Sequence, residues 1–313
     1  MRYAAVAAIA LLLAGCRGAA EGPLNGVLVV YGDGREAAAE AFTGSLQKTV
    51  VTVDPEPVFS FVFCPRSQLD ASLRLRRTVL LLLDSPAEAP EGLRRSAGGY
   101  WRGTDVWARG QTFFAAVPES CDASALSRDL ELAYNRHLHD YLYQSFVTTS
   151  MSSPARMDSL RGLGFSMDVP RSYRTVVWTP ERHFVQFQRP VSDEGVIMLS
   201  VYWLPGGSVG DAAHAVEQRQ LMARREFYDA SADSVDRARL EAGPLELHGL
   251  RGWVLLGEWR NPEYLNAGGF TSYVLQSGSG MWILDTEVYN PGSEKEPYIR
   301  EGWLVMNTFS PEG

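Results

Sequence analysis

The tightest constraint on this chain lies in its last quarter. Leu250–Glu258, Phe270–Gln276 and Met281–Tyr289 are β-branched and aromatic runs, and Ser277-Gly278-Ser279-Gly280 joins the last two as a hairpin turn. Strands that follow one another through short turns pair antiparallel, and such a sheet must cover at least one apolar face. Phe165–Val169, His183–Arg189 and Val196–Trp203 read as further strands ahead of these. Ser208-Val-Gly-Asp211 has the pattern of a capping box opening a helix to about Tyr228. Ser293-Glu-Lys-Glu296, followed by Pro297, opens a last helix with Ile299, Trp303 and Met306 facing inward. Residues 155–313 are therefore expected to form an α+β domain whose antiparallel sheet is covered on one side.

The first half repeats a sheet-plus-helix plan less regularly. Gly26–Tyr31 reads as a strand and Arg35–Lys48 as a helix; Val50–Val53 and Val58–Phe63 read as strands parted by two prolines. A short helix around Gln68–Arg76 leads into Thr78–Leu83, whose unbroken apolar run suits a buried central strand. Asp84–Gly99 reads as loop and Val106–Val117 as strand. Asp122 caps a long helix to about Phe146, with Leu126, Leu130, Tyr134, Leu138 and Tyr141 on one face. Thr148–Pro154, small and polar, is the expected domain boundary, which gives an N-terminal α+β domain over 25–150. The fold class expected is α+β, two sheet-plus-helix domains, mainly antiparallel.

At the start of the chain, Arg2 supplies a positive region and Ala4–Leu13 a short apolar run. The run is too short to span a bilayer and has the form of a signal-peptide core. Leu13-Ala14-Gly15-Cys16 closes it and resembles the bacterial lipobox. The resemblance implies cleavage after residue 15, a diacylglyceryl group on Cys16 and a tether over 16–24. Arg17 stands where lipoproteins kept in the inner membrane usually carry Asp, which points by family habit to the outer membrane, facing the periplasm. Membrane attachment would run through the lipid on Cys16. Cys64 and Cys121 remain as an even pair in an oxidising compartment. Two readings stand: a bridge, contributing roughly 4 kcal/mol through loop closure, or two separate buried thiols.

A second resemblance covers nearly the whole mature chain. Val106-Trp107-Ala108-Arg109-Gly110-Gln111, Leu250-Arg251-Gly252-Trp253, Ala267-Gly268-Gly269-Phe270, Val288-Tyr289-Asn290-Pro291 and Tyr298-Ile299-Arg300 resemble landmarks of a lipoprotein family known as domain of unknown function 4837, with Glu56-Pro57-Val58-Phe59 as an earlier one. It implies export, lipidation and two sheet-containing parts, and it brings no catalytic residues. By element order, the second half also resembles the Mog1 and PsbP α/β/α sandwich.

The net charge of −8 and the pI near 5.3 argue against nucleic acid or anionic headgroups as partners. Gly32-Asp33-Gly34-Arg35-Glu36-Ala37 follows a strand and opens a helix, as a dinucleotide fingerprint does. Asp33 and Glu36 would repel a pyrophosphate there, so a tight strand-to-helix turn is the better reading and no cofactor is expected. His137-Leu138-His139-Asp140 suggests metal, but imidazoles two apart on a helix diverge by about 200°; no metal site is expected, with His137 in the core and His139 in water. Gly278-Ser279-Gly280 sits between strands and is no nucleophile elbow. Asp285 and Glu287, two apart on a strand, share a sheet face and are read as surface decoration rather than an acid–base pair. Aromatic residues crowd the last third and read first as core filling; the second reading is that the Asn261–Gly269 loop, with Tyr264, Gly268 and Gly269, forms the rim of a binding groove.

These readings converge on an exported, lipid-anchored envelope protein whose biochemical task the sequence does not name. A non-enzymatic accessory or binding module with an envelope protein, glycan or lipid partner is the leading expectation. The alternative is an envelope hydrolase with its site between the domains, and a structural spacer is the third reading. Cys16→Ser should move the protein from the membrane to the soluble fraction on centrifugation; retention in the membrane would contradict the lipid anchor.

Overall fold

The computed structural model describes residues 18–144, 154–227 and 233–312. Cys16, the leader, the Thr148–Ser153 linker and the residues around Tyr228 lie outside them. The chain forms two compact units, one of residues up to 48 with 57–137, the other of 49–56 with 138–313. Both are α+β. No helix among the described residues is long and apolar enough to cross a membrane.

The first unit is built on a six-stranded sheet ordered β4-β1-β5-β8-β7-β6. Its strands are β1 (Gly26–Tyr31), β4 (Ser60–Pro65), β5 (Thr78–Leu82), β6 (Arg94–Arg95), β7 (Trp101–Thr104) and β8 (Thr112–Ala116); the two-residue strands β2 (Thr49–Val50) and β3 (Glu56–Pro57) pair separately. The four strands from β4 to β8 run parallel, whereas antiparallel pairing dominates the rest of the chain. Parallel strands covered on both faces require unbroken apolar runs, and every residue of β5 and β8 is buried. Helices α1 (Glu36–Leu46) and α2 (Ala123–Gln144) accompany this sheet. Asp122 caps α2 by accepting from the Ala125 N–H at 3.0 Å, and Leu126, Leu130 and Tyr134 are buried as their spacing predicts. Tyr141 is exposed instead. His137 is a core histidine 3.2 Å from Thr112 Oγ1, held neutral because burial, then Arg77 and Arg136, pushes its pKa down to about 4.

Two local expectations fail for identifiable reasons. Gln68–Arg76 is not a helix but two 3₁₀ turns, because the Asp70 carboxylate accepts from Leu73 N–H and Ser72 Oγ and replaces helical bonding. Of Val106–Val117, only the β8 residues are strand; the Gln111 side chain takes up Trp107 N–H and the Arg74 and Arg76 carbonyls, holding 105–111 as a loop. Cys64 and Cys121 are separate thiols, with burial pushing the Cys121 thiol up to about 11.

The second unit holds an eight-stranded, wholly antiparallel sheet. Its main path is β10 (Arg174–Thr179), β11 (Phe184–Pro190), β12 (Val196–Pro205), β17 (Gly280–Tyr289), β16 (Asn266–Ser277), β15 (Leu250–Asn261) and β13 (Ser234–Val235), with β14 (Glu241–Leu247) also on β15; β9 (Phe165–Ser166) pairs apart with β18 (Ser310–Pro311). One face packs against α3 (Pro154–Arg161) and α5 (Glu296–Met306), the other against α4 (Ala212–Glu226), giving an α/β/α sandwich. Helix α4 starts one turn later than the Ser208 pattern predicts, since Asp211 itself accepts from His214 N–H at 2.9 Å. The α5 start is capped from far along the sequence, where Glu56 accepts from Lys295 and Glu296 N–H at 2.6 and 2.7 Å.

Helix α5 lies on the sheet through Gly302, where a Cβ would overlap the fully buried Thr286 side chain. Helix propensity alone favours Ala there by about 1 kcal/mol, while overpacking a tight contact costs roughly 1–3 kcal/mol. Gly302→Ala should therefore lower the urea midpoint. A raised midpoint would contradict the close packing.

Candidate functional site

The site follows from strand register. On the α4 face, alternate residues of β11, β12, β17 and β16 line up in rows: Phe184–Tyr202–Ile283–Val274, Gln186–Ser200–Asp285–Ser272, then Gln188–Met198–Glu287–Phe270. The first row is apolar and lies with Ala215, Val216, Met222 and Ala223 of α4 in one buried cluster. The second and third carry carboxyls, and α4 meets them with one arginine. Arg219 falls in the helix's buried stripe with Ala215, Val216, Met222 and Ala223, and is itself fully buried. Its Nε donates to Asp285 Oδ1 at 3.0 Å, and its Nη2 to Glu287 Oε1. Ser272 Oγ donates to Asp285, and the guanidinium lies 4.1 Å from the Phe270 ring centroid. Asp285 and Glu287 share a face as expected, but they are buried ion-pair members, not surface decoration.

At the third row and past it the sheet face opens into a groove of about 630 Å³, within the usual 300–1,000 Å³ range of ligand sites. Met198 and Glu287 lie in its floor with Val196 and Tyr289, Val176 and Val177 form one wall, and Trp259, Asn261, Tyr264 and Asn266 the other. Gln186, Gln188, Phe227 and Asp233 complete the lining. The Trp259 indole packs over its strand partner Gly268, where a Cβ would strike the ring and the Val288 carbonyl. A second carboxyl, that of Asp233, accepts from Asn261 Nδ2 at 2.6 Å.

Burial dominates the electrostatics. It works against the Arg219 charge, but Asp285 and Glu287 outweigh it and hold that guanidinium firmly ionised. One cation shared by two carboxyls leaves the second under-compensated. Burial accordingly pushes the Glu287 carboxyl up to about 8 despite Arg219, with Asp285 and Asp233 adding to the rise. Asp233 is raised as well, again by burial first.

Of the three residues expected at a binding rim, Tyr264 lines the groove and is exposed. Gly268 and Gly269 are corrected: they are not an exposed loop pair but buried positions of β16, because the turn ends at Leu265 and pairing resumes at Asn266. Gly268 serves the groove indirectly, by accommodating Trp259. Leu265, overlooked in the sequence, stands 90% exposed beside Tyr264 with a left-handed φ of 54°, a strained placement for a large apolar side chain. Arg219 was also missed; the available clue was an arginine in the apolar stripe of α4 opposite two acidic residues of a central strand.

Other hollows fit a ligand less well. In the first unit, Gly32, Arg35 and Asp84 line a space of about 160 Å³ with Glu119, small and acidic for a nucleotide. A larger one of about 650 Å³ mixes Arg94, Arg102 and Arg136 with Glu91, Asp105 and Asp129. No cluster of three or more potential metal ligands occurs among the described residues.

The sequence matches no protein-family model and no curated protein. Resemblance to domain of unknown function 4837 therefore rests on the short motifs alone. Among solved structures, 48% of the chain aligns with 88% of cyanobacterial PsbP from Synechocystis (13% identity, TM-score 0.33). The same share aligns with 83% of LpqN of Mycobacterium tuberculosis, described as involved in cell envelope biogenesis (12% identity, TM-score 0.30). A Bacteroides thetaiotaomicron structure aligns at 11% identity and TM-score 0.27, and there this chain covers 46% of the other protein, under half its length. Likeness at this level carries no argument about function.

Two substitutions test the ion-pair band. Arg219→Met leaves the buried Asp285 and Glu287 carboxyls without their shared donor and should cost about 3–5 kcal/mol of stability in urea unfolding. For Glu287, a folded pKa near 8 lies above the ordinary 4.5, so its protonated form adds stability that is full below 4.5 and lost as pH rises through 8. Glu287→Gln should flatten that decline, and an unchanged slope would contradict the raised pKa.

Proposed function

We propose that this chain is a lipid-anchored envelope protein that binds a ligand, without transforming it, in the groove of its second unit. The observation that carries the reading is the groove itself: a mainly apolar hollow on the α4 face of the sheet, with a buried carboxyl in its floor and exposed Tyr264 at its edge. Stability alone gives no reason for Tyr264 and Leu265 to stand exposed at one hairpin tip; contact with a partner does. The lipobox at Cys16 and the domain of unknown function 4837 motifs support export and anchoring, with the outer membrane favoured by Arg17.

Binding is favoured over hydrolysis by the composition of the lining. It contains no serine, cysteine or histidine that a nucleophile–base pair would need. Ser272, the hydroxyl nearest in kind to a nucleophile, is fully buried and committed to Asp285. Nile red, a neutral apolar dye, should bind the protein saturably with a blue-shifted emission. Met198→Trp, which fills the floor of the groove, should weaken that binding at least ten-fold while leaving the far-ultraviolet circular dichroism unchanged. Equal binding by the variant would remove the groove from consideration.

A further inference from the structure

The groove is more acidic than its internal pairing requires. Three carboxyls, those of Asp233, Asp285 and Glu287, stand in or beside it, and Arg219 is the guanidinium that bonds two of them. Asp233 receives the Asn261 amide, and Arg224 reaches only its backbone carbonyl. The remaining lining is aromatic and aliphatic apart from the amides of Gln186, Gln188, Asn261 and Asn266. Trp259 and Tyr289 lie with ring centroids 6.3 Å apart, and Phe227 and Tyr264 add two further rings. Aromatic faces attract cations and tolerate apolar groups, while offering nothing to an anion. Trp259 is 5% exposed and its Nε1–H has no partner; as a donor it serves an acceptor atom of a ligand and not the ammonium.

We propose that the groove takes an amine-bearing amphiphile, its ammonium set between Glu287 and the Trp259 and Tyr289 rings and its apolar chain along Val176, Val196 and Met198. This rests on the groove being a binding site and adds the class of ligand. An ammonium supplies the positive charge that Arg219, already paired with Asp285, does not spare for Glu287. It favours the ionised form of Glu287, so binding releases a proton at neutral pH. The charged groups that face Glu287 are Arg219 from α4, Asp285 from its own strand and Asp233 ahead of β13. An alkylamine, like a lysine ammonium, stays charged to about pH 10. Its affinity therefore rises between pH 7 and 9 as Glu287 ionises without it, whereas that of a neutral alcohol does not.

The test is calorimetric titration of the full chain carrying Cys16→Ser, which removes a competing lipid phase, with octylamine, octanol and octanoate. Octylamine should bind at least ten-fold more tightly than either, and more tightly at pH 9 than at pH 7. Glu287→Gln should abolish that preference, so that octylamine and octanol bind this variant alike. Tyr289→Leu, which keeps the carboxyl, should reduce the preference in part. Dihexanoyl phosphatidylethanolamine binding as tightly as octylamine would assign the amine to a lipid headgroup, and binding of octylamine alone to a free amine. Equal binding of all three octyl compounds, or preference for octanoate, overturns the ammonium inference and leaves the groove as an apolar site. Absence of binding by all three, with Nile red binding unaffected by Met198→Trp, overturns both.

Discussion

The second unit depends on one buried guanidinium. Helix α4 has a weakly apolar inner face of small residues, and Arg219 occupies its middle. Burying an arginine costs several kcal/mol unless its donors are met, and here Asp285 and Glu287 meet two of them. That exchange fixes where α4 lies on the sheet and leaves the rows beyond it uncovered. The groove follows from that placement: α4 packs on the first row and reaches the carboxyls of the second and third through Arg219, while third-row Met198 and Glu287 line the groove. On the opposite face α5 is held in a comparable way, where Glu301 accepts from Arg189 Nε and from Tyr173 OH, each at 2.8 Å. Helices α4 and α5 are each pinned by charge as well as by apolar contact.

Much of this architecture was legible. Long alternating runs with a Ser-Gly-Ser-Gly turn give β15, β16 and β17, and the Pro297 start and inward Ile299 and Met306 give α5. These features are local and periodic, so sequence carries them. What was not legible is non-local. The α5 cap comes from Glu56, about 240 positions away, so the nearby Ser293 looked like the cap. The parallel centre of the first sheet depends on crossovers, and continuous apolar strands such as β5 do not reveal the direction of their neighbours.

The candidate site shows the same division. Tyr264 was visible as an aromatic residue in a turn. Asp285 and Glu287 were visible as a same-face pair, yet their environment was misjudged because an acidic chain offers many surface carboxylates. Only the partner decides the matter, and the partner lies 66 residues away on another element. Gly268 and Gly269 looked like loop because glycine pairs usually are; in β16 they are sites of close approach, one to Trp259 and the other to Ile299.

The central claim is that one guanidinium shared by two buried carboxyls leaves Glu287 holding its proton at the floor of an apolar groove. It is tested most directly by following the Glu287 side-chain carboxyl resonance by carbon-13 nuclear magnetic resonance across a pH titration of the intact protein. The account predicts a midpoint near 8, falling when octylamine is present. A midpoint at the ordinary carboxylate value, unmoved by the amine, would show that Glu287 is fully compensated within the fold and would contradict the account.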